Sequence, residues 1–369
     1  MKAIITSKAV FAVAIFLAIE FLCFRTGTYL KIIKPASFAG MLVQRRQLAN
    51  EKKGTGAIAL LGDSRLREGF SAQIFDQLAA NTSLKALNLG LSGSDPRVWY
   101  YFLKSIDPKC DAFKMIVIAL PSYCDEDYAY GQSDKLDDLN LLLPVLGISD
   151  AWEFVQSFQD HSARSDASLA MLLKMHGFKQ DVKDLLANPC LRLNECRFFK
   201  EHWQEMEYAY TGHPQSLAGA HVVNYEIFGL PTFVSKYQKH RLQLTLLGLS
   251  EREIKWQYAY LKHWLDKLGN RYSASPTKLV FIRIPARPFD AAVRHQVHRD
   301  SINSVSRLDN VIVEPENEFA FLEKPEYFFD DVHLNSAGRK IFSKLLSLKL
   351  IKYGSENVAK VAEEQRDSL

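Results

Sequence analysis

Two short stretches near opposite ends of the chain hold side chains that together could carry out acyl chemistry. The first is Gly62-Asp63-Ser64, the second Asp330-Asp331-Val332-His333. A serine hydroxyl is a weak nucleophile until a base takes its proton. An imidazole serves as that base when a carboxylate holds its other nitrogen. Of the ten histidines, only His333 has an aspartate three residues before it. Asp330 is therefore the expected orienter, His333 the base and Ser64 the nucleophile, with Asp331 the fallback if the register slips by one. Each stretch is weak evidence alone, and it is their pairing that is specific.

The elements needed to bring them together are legible in the hydrophobic pattern. Ala57–Leu61, Leu84–Leu89, Lys114–Leu120, Leu279–Ile284 and Val311–Val313 are short, continuous apolar runs. Helical patterns over Ser71–Ala80, Asp95–Ser105, Glu251–Leu268, Asp290–Ser306 and Asn335–Leu350 alternate with them. Strands buried on both faces and alternating with helices predict a parallel sheet in a three-layer α/β/α fold of flavodoxin-like type. Ser64 then follows the first strand, at the sheet edge where open α/β folds hold ligands. His333 lies on the loop leading into the last helix. The rhythm breaks between residues 124 and 250, a long and mostly helical insertion expected to form a cap. The expected α/β domain therefore comprises residues 57–123 and 251–353, with a connector over 34–56 and a polar tail over 354–369.

These motifs resemble the SGNH/GDSL hydrolase superfamily: Gly62-Asp63-Ser64 at its first block, Asn88-Leu89-Gly90-Leu91-Ser92-Gly93 at its second and Asp330-x-x-His333 at its last. The resemblance implies a Ser64–His333–Asp330 triad. It also implies an oxyanion hole made by the Ser64 N–H and a second-block glycine, Gly93 or, failing that, Gly90. The family's third block carries an asparagine that is missing here, where the chain reads Leu120-Pro121-Ser122-Tyr123-Cys124-Asp125. Loss of one oxyanion donor costs about 10²–10³ in rate unless another group replaces it; Ser122, Tyr123 and Arg65 are the candidates. The altered block resembles membrane-anchored relatives that act on cell-envelope polysaccharides alongside a membrane-bound O-acyltransferase. That likeness implies an esterase or O-acyltransferase working on the (acetyl) esters of an exported glycan, without metal or organic cofactor. The rival reading is a catalytically inactive module of the same fold that binds glycan or scaffolds a membrane acyltransferase.

The remaining features bear on location and on subsidiary sites. Residues 1–33 carry an apolar run from Ala9 to Phe24, broken only by Glu20 and flanked by Lys8 and Arg25. Sixteen helical residues reach about 24 Å, short of a ~30 Å hydrocarbon core unless the neighbours contribute. No small-residue cleavage site follows, so an uncleaved single-pass anchor in a bacterial inner membrane is expected, with the body outside the cytoplasm. Lys2 and Lys8 argue for one orientation and Arg25, Lys31, Lys34, Arg45 and Arg46 for the other. The spacing of Cys190 and Cys196 suits a disulfide across a short loop, which would fit a periplasmic body. Arg283 and Arg287, after a strand that ends toward the site, are candidates for an anionic substrate group. His295 and His298 have no third metal ligand in view, and Trp99, Tyr100, Tyr101, Tyr208 and Tyr210 fit core packing better than sugar stacking. A net charge of +4 over 369 residues, with 47% hydrophobic content, excludes a disordered chain and gives no basis for nucleic-acid binding.

Overall fold

The computed structural model describes residues 2–124, 134–208, 215–223, 226–247, 259–288 and 301–366. It divides into two compact units. One comprises residues 1–47 and 133–207, the other residues 48–132 and 208–369.

The larger unit is built on a five-stranded, all-parallel sheet of β1 (Gly54–Leu61), β2 (Lys85–Asn88), β3 (Phe113–Leu120), β6 (Lys278–Arg283) and β7 (Val311–Val313), in the order β2-β1-β3-β6-β7. Each strand expected from an apolar run is present. The chain steps from β1 to β2 on one side and returns to β3 on the other. The carboxyl ends of β1 and β3 therefore flank a topological switch point, where such sheets open a crevice. The inner strands are dense in Ile, Val, Leu and Ala because both faces are covered: Ile58 to Leu61 and Met115 to Leu120 are all buried. The helices of this unit include α3 (Ser64–Gly69), α4 (Ala72–Leu78), α5 (Pro96–Ile106), α13 (Tyr260–Tyr272) and α14 (Ser336–Arg366). Trp99 and Tyr101 are buried, and Tyr101 and Tyr100 pack against Trp264, so these aromatics belong to the core. The Tyr208 side chain and Tyr210 lie outside the described residues.

Several boundaries differ from expectation for identifiable reasons. The connector is largely helical, because α2 (Phe38–Lys52) buries Leu42, Leu48 and Ala49 along a run of good helix formers. The expected tail continues α14 to Arg366. The expected helix over Asp290–Ser306 is not seen in its described part, residues 301–306, which form turns. His295 and His298 lie outside the described residues.

The stretch read as one insertion is shared between the units. Its later part joins the larger unit as an antiparallel hairpin, β4 (His221–Val223) with β5 (Glu226–Phe228), and helix α12 (Lys236–Leu247). There Leu217, Ala220, Ile227 and Leu242 enter the same hydrophobic core as Phe328 and Leu334.

The smaller unit joins the N-terminal segment to helices of the insertion. These are α6 (Asp137–Leu142), α7 (Ala151–Gln156), α8 (His161–Leu172), α9 (Lys174–Gly177), α10 (Lys179–Ala187) and α11 (Pro189–Tyr208). Arg192, almost wholly buried, ties the segment in place by reaching the Ile32 carbonyl (3.1 Å), Asp181 (3.0 Å) and Asp184 (2.5 Å). Cys190 and Cys196 both lie on α11 and carry free thiols. Six residue steps along the helix set them apart by about 9 Å of rise, beyond the span a disulfide bridges. The expected bond is therefore not formed, and the cysteines lend no weight to an oxidising compartment. Helix α1 (Lys2–Ile19) continues into a π-helical turn, Glu20–Arg25, in which Glu20 is buried. Among the described residues, no helix is long and apolar enough to cross a membrane.

Candidate active site

Ser64 is the first residue of α3, three positions beyond the end of β1. Asp63 caps that helix: its carboxylate accepts the Arg65 N–H (2.9 Å) and pairs with Arg65 Nε (3.2 Å). Gly62 allows the tight strand-to-helix turn, since a Cβ there would meet Leu66 Cβ at 2.8 Å and Ala119 Cβ at 3.1 Å. The far end of α3 is held by Asn88, whose Nδ2 donates to the carbonyls of Leu66 (3.3 Å), Arg67 (3.1 Å) and Phe70 (2.9 Å). The serine thus stands on a short helix fixed at both ends.

His333 comes from a loop closed on itself. The buried Phe328 and Leu334 form a bridge across its base, the Phe329 N–H donates to the His333 carbonyl (3.1 Å), and Asn335 caps the following α14 through the N–H groups of Ala337 and Gly338. The Leu217 N–H braces the loop from outside by donating to the Phe328 carbonyl at 3.1 Å. Within it, Asp330 Oδ1 accepts the backbone N–H groups of Val332 (2.9 Å) and His333 (2.7 Å), while Oδ2 meets His333 Nδ1 at 2.8 Å. His333 Nε2 lies 2.8 Å from Ser64 Oγ. The carboxylate acceptor fixes the imidazole proton on Nδ1, so Nε2 is free to accept the serine O–H. Asp331 is buried but does not orient the imidazole; Asp330 does.

The electrostatics match this geometry. Burial works against a charged His333, but the hydrogen bond it donates to Asp330 and the charge of that carboxylate, with a contribution from Asp63, prevail and raise its pKa above the ordinary value. For Asp330 burial works upward, yet the bond to His333 and the two backbone N–H donors hold the carboxyl below its ordinary value. A base of raised basicity beside a hydroxyl, with a carboxylate that stays ionised, is what serine activation requires.

The second block divides its two glycines. The Gly90 N–H is committed to Asn88 Oδ1 at 3.1 Å, and a Cβ at Gly90 would meet the Arg67 backbone at 2.8 Å. It therefore packs α3 and is not an oxyanion donor. Gly93, with φ of +73°, turns the chain between β2 and α5 and is the glycine that stays a candidate. The Ser64 N–H, first in its helix, has no acceptor within that helix.

The residues weighed as substitutes or substrate contacts are mostly bound up in structure. Ser122 Oγ accepts the Cys124 N–H (3.1 Å), and the Tyr123 hydroxyl reaches the carbonyls of Glu314 (2.9 Å), just past β7, and of Phe281 (3.2 Å), within β6. Arg283, 1% exposed, is paired with the buried Glu323 at 2.5 Å. Tyr123 and Arg283 are therefore structural. Arg287 is half-buried beyond β6. Arg65, one residue from the nucleophile, is partly exposed, and its charge acts on His333. Helix α3 and its Asn88 clamp escaped sequence reading, although Asp63 two residues before Arg65 is a cap signal. Compared with known proteins, the chain matches no protein-family model and no curated protein.

Proposed function

We propose that the protein is a serine esterase or O-acyltransferase that works through a Ser64 acyl-enzyme. One observation carries this reading: Ser64 Oγ, His333 Nε2, His333 Nδ1 and Asp330 Oδ2 form an unbroken hydrogen-bonded line with both side-chain contacts at 2.8 Å. Ser64 Oγ attacks the ester carbonyl while its proton passes to His333 Nε2. The tetrahedral oxyanion faces the Ser64 N–H and Gly93, with Arg65 as the nearby cation. The C–O bond to the leaving alkoxide breaks as His333 returns the proton to it. Water or a sugar hydroxyl then gives its proton to His333 and attacks the acyl-enzyme, and the acyl–Oγ bond breaks as His333 returns that proton to Ser64 Oγ.

The substrate class, (acetyl) esters of an exported or cell-envelope polysaccharide, rests on the SGNH-like motifs and their altered third block. A membrane-bound O-acyltransferase partner belongs to the same reading. So does attachment to a bacterial inner membrane, which is supported by the apolar side chains that α1 leaves exposed, among them Val10, Phe11, Val13 and Leu17. A fluorophosphonate probe tests the chemistry. A Ser64 adduct on the native protein, abolished by His333→Ala, is expected. A native protein that forms no adduct would leave the second reading, an inactive glycan-binding module, which the missing third-block asparagine favours.

A further inference from the structure

The smaller unit leaves apolar side chains exposed where the N-terminal segment meets α8 and α9. Hydrogen bonds hold the join between them. Glu20, 4% exposed, accepts the backbone N–H groups of Lys174 (2.6 Å) and Met175 (2.9 Å) at the start of α9, while Arg25 donates to the carbonyls of Met171 (2.6 Å) and Leu172 (2.7 Å) at the end of α8. No linker separates the apolar segment from the folded helices. They overlap it: Phe16, one helical turn and about 6 Å before Glu20, lines a cavity of about 370 Å³ with Leu173, Met175, His176, Lys179 and Val182. Leu172, the neighbour in sequence of the lining Leu173, is 72% exposed, and Phe21 and Leu22 on the segment are 61% and 60% exposed. Four of the six lining residues, Phe16, Leu173, Met175 and Val182, are apolar, and the other two, His176 and Lys179, carry basic side chains.

We propose that this face is a membrane-seating surface: Leu172, Phe21 and Leu22 lie in the interfacial layer of the bilayer that α1 enters, and the cavity holds an anionic phospholipid, its chain against Phe16 and Val182 and its phosphate at Lys179 and His176. The proposal rests on the reading of the N-terminal segment as membrane-inserted and adds where the folded unit sits and which lipid it takes. Three properties carry it. Phe16 of α1 lines the same cavity as Leu173 and Met175 of the helical part, so the segment and the folded helices share one apolar lining. The Glu20–Arg25 clasp satisfies the backbone groups at the join, as burial in lipid requires. A lysine, Lys179, among mostly apolar lining residues suits a headgroup phosphate, since its long stem stays in the apolar layer and its charge at the surface.

Depth measurements on the full chain in phosphatidylcholine–phosphatidylglycerol vesicles test both layers of the argument. Nitroxides are placed singly at Val13 and Leu172 in a chain whose cysteines are replaced by alanine. Both labels are expected to meet oxygen in preference to a water-soluble nickel chelate. If Val13 is lipid-exposed and Leu172 is aqueous, the seating surface is overturned and the inserted segment stands; if Val13 is aqueous, both fall. Lipid retention by the cysteine-containing chain needs no label. A lysine at an anionic surface contributes about 1 kcal/mol, about fivefold in partition. Lys179→Gln is therefore expected to lower the ratio of phosphatidylglycerol to phosphatidylcholine carried through detergent purification about fivefold, and an unchanged ratio would overturn the lipid assignment.

Discussion

Two stretches of the same sheet edge treat their polar side chains in opposite ways. Beyond β1, Ser64 and the loop that faces it keep a hydroxyl, an imidazole and a carboxylate for one another. Beyond β3 and β6, Ser122, Tyr123 and Arg283 turn their polar ends to backbone carbonyls, a backbone N–H or a buried carboxylate. The sequence types alone make both stretches look reactive. What separates them is whether the fold itself already uses each group, and substitutions on the two sides should fail in different currencies, rate on one and stability on the other.

The largest effect belongs to the reactive side. Ser64→Ala or His333→Ala should lower ester turnover by about 10⁴–10⁶, because members of such a set act as a unit, with Tm little changed. Tyr123→Phe should leave turnover within a few-fold and lower stability by about 1 kcal/mol, the worth of one hydrogen bond. Turnover that survived Ser64→Ala, or collapsed with Tyr123→Phe, would reverse the comparison.

Asp330→Asn comes next. It keeps the size of the orienter and removes its charge, which favours the wrong imidazole tautomer and should cost about 10⁴ in kcat. The pH profile gives the sign independently. The base must be neutral to act, and Asp330 raises the His333 pKa, so activity should rise with pH through a midpoint above ~6.5, the ordinary histidine value. In Asp330→Asn the burial that opposes the charged imidazole acts with less opposition, and the midpoint should fall. A midpoint that stayed in place would mean that the carboxylate does not set the basicity of His333.

Arg283→Ala probes the other stretch. Removing one partner of a buried pair leaves Glu323 charged and uncompensated, at a cost of about 3–5 kcal/mol. The denaturation midpoint should drop, while kcat of the protein that remains folded stays near its original value. A selective rise in KM for an anionic substrate, without loss of stability, would return Arg283 to the substrate.

Much of this was legible in the sequence, and the remainder was hidden for physical reasons. The inner strands of the parallel sheet could be found because a strand buried on both faces must be continuously apolar, as at Met115–Leu120, and the half-buried edge strand β7 because Val311-Ile312-Val313 is apolar throughout. The triad could be found because Asp-x-x-His and Gly-Asp-Ser are short and local. What escaped depends on which partner a group meets. The hydroxyl of Tyr123 and the guanidinium of Arg283 have the same donors in a site as in a core, and no spacing rule shows that Glu314 and Glu323 come to meet them. The two cysteines were misread because Pro189-Cys190-Leu191-Arg192 lacks an apolar period, whereas the burial of Arg192 against Asp181 and Asp184 makes the segment a helix. Similarly, α2 carries many polar residues and owes its place to a few buried ones, Leu42, Leu48 and Ala49.

Asp63 gives the smallest and most discriminating effect, because it stands between the two behaviours. Its carboxylate caps α3 through the Arg65 N–H, a structural role, and its charge also raises the pKa of His333 while its other oxygen pairs with Arg65 Nε. Asparagine retains a cap oxygen and removes the charge; alanine removes both. Asp63→Asn should therefore hold Tm close to that of the native protein, and Asp63→Ala should lower stability by about 1 kcal/mol. Both should move the activity midpoint of His333 downward, by less than Asp330→Asn does, because Asp63 is not bonded to the ring. Thermal melts and pH–rate profiles of the two variants separate the roles: equal losses of Tm would remove the cap, and unmoved midpoints would confine Asp63 to structure.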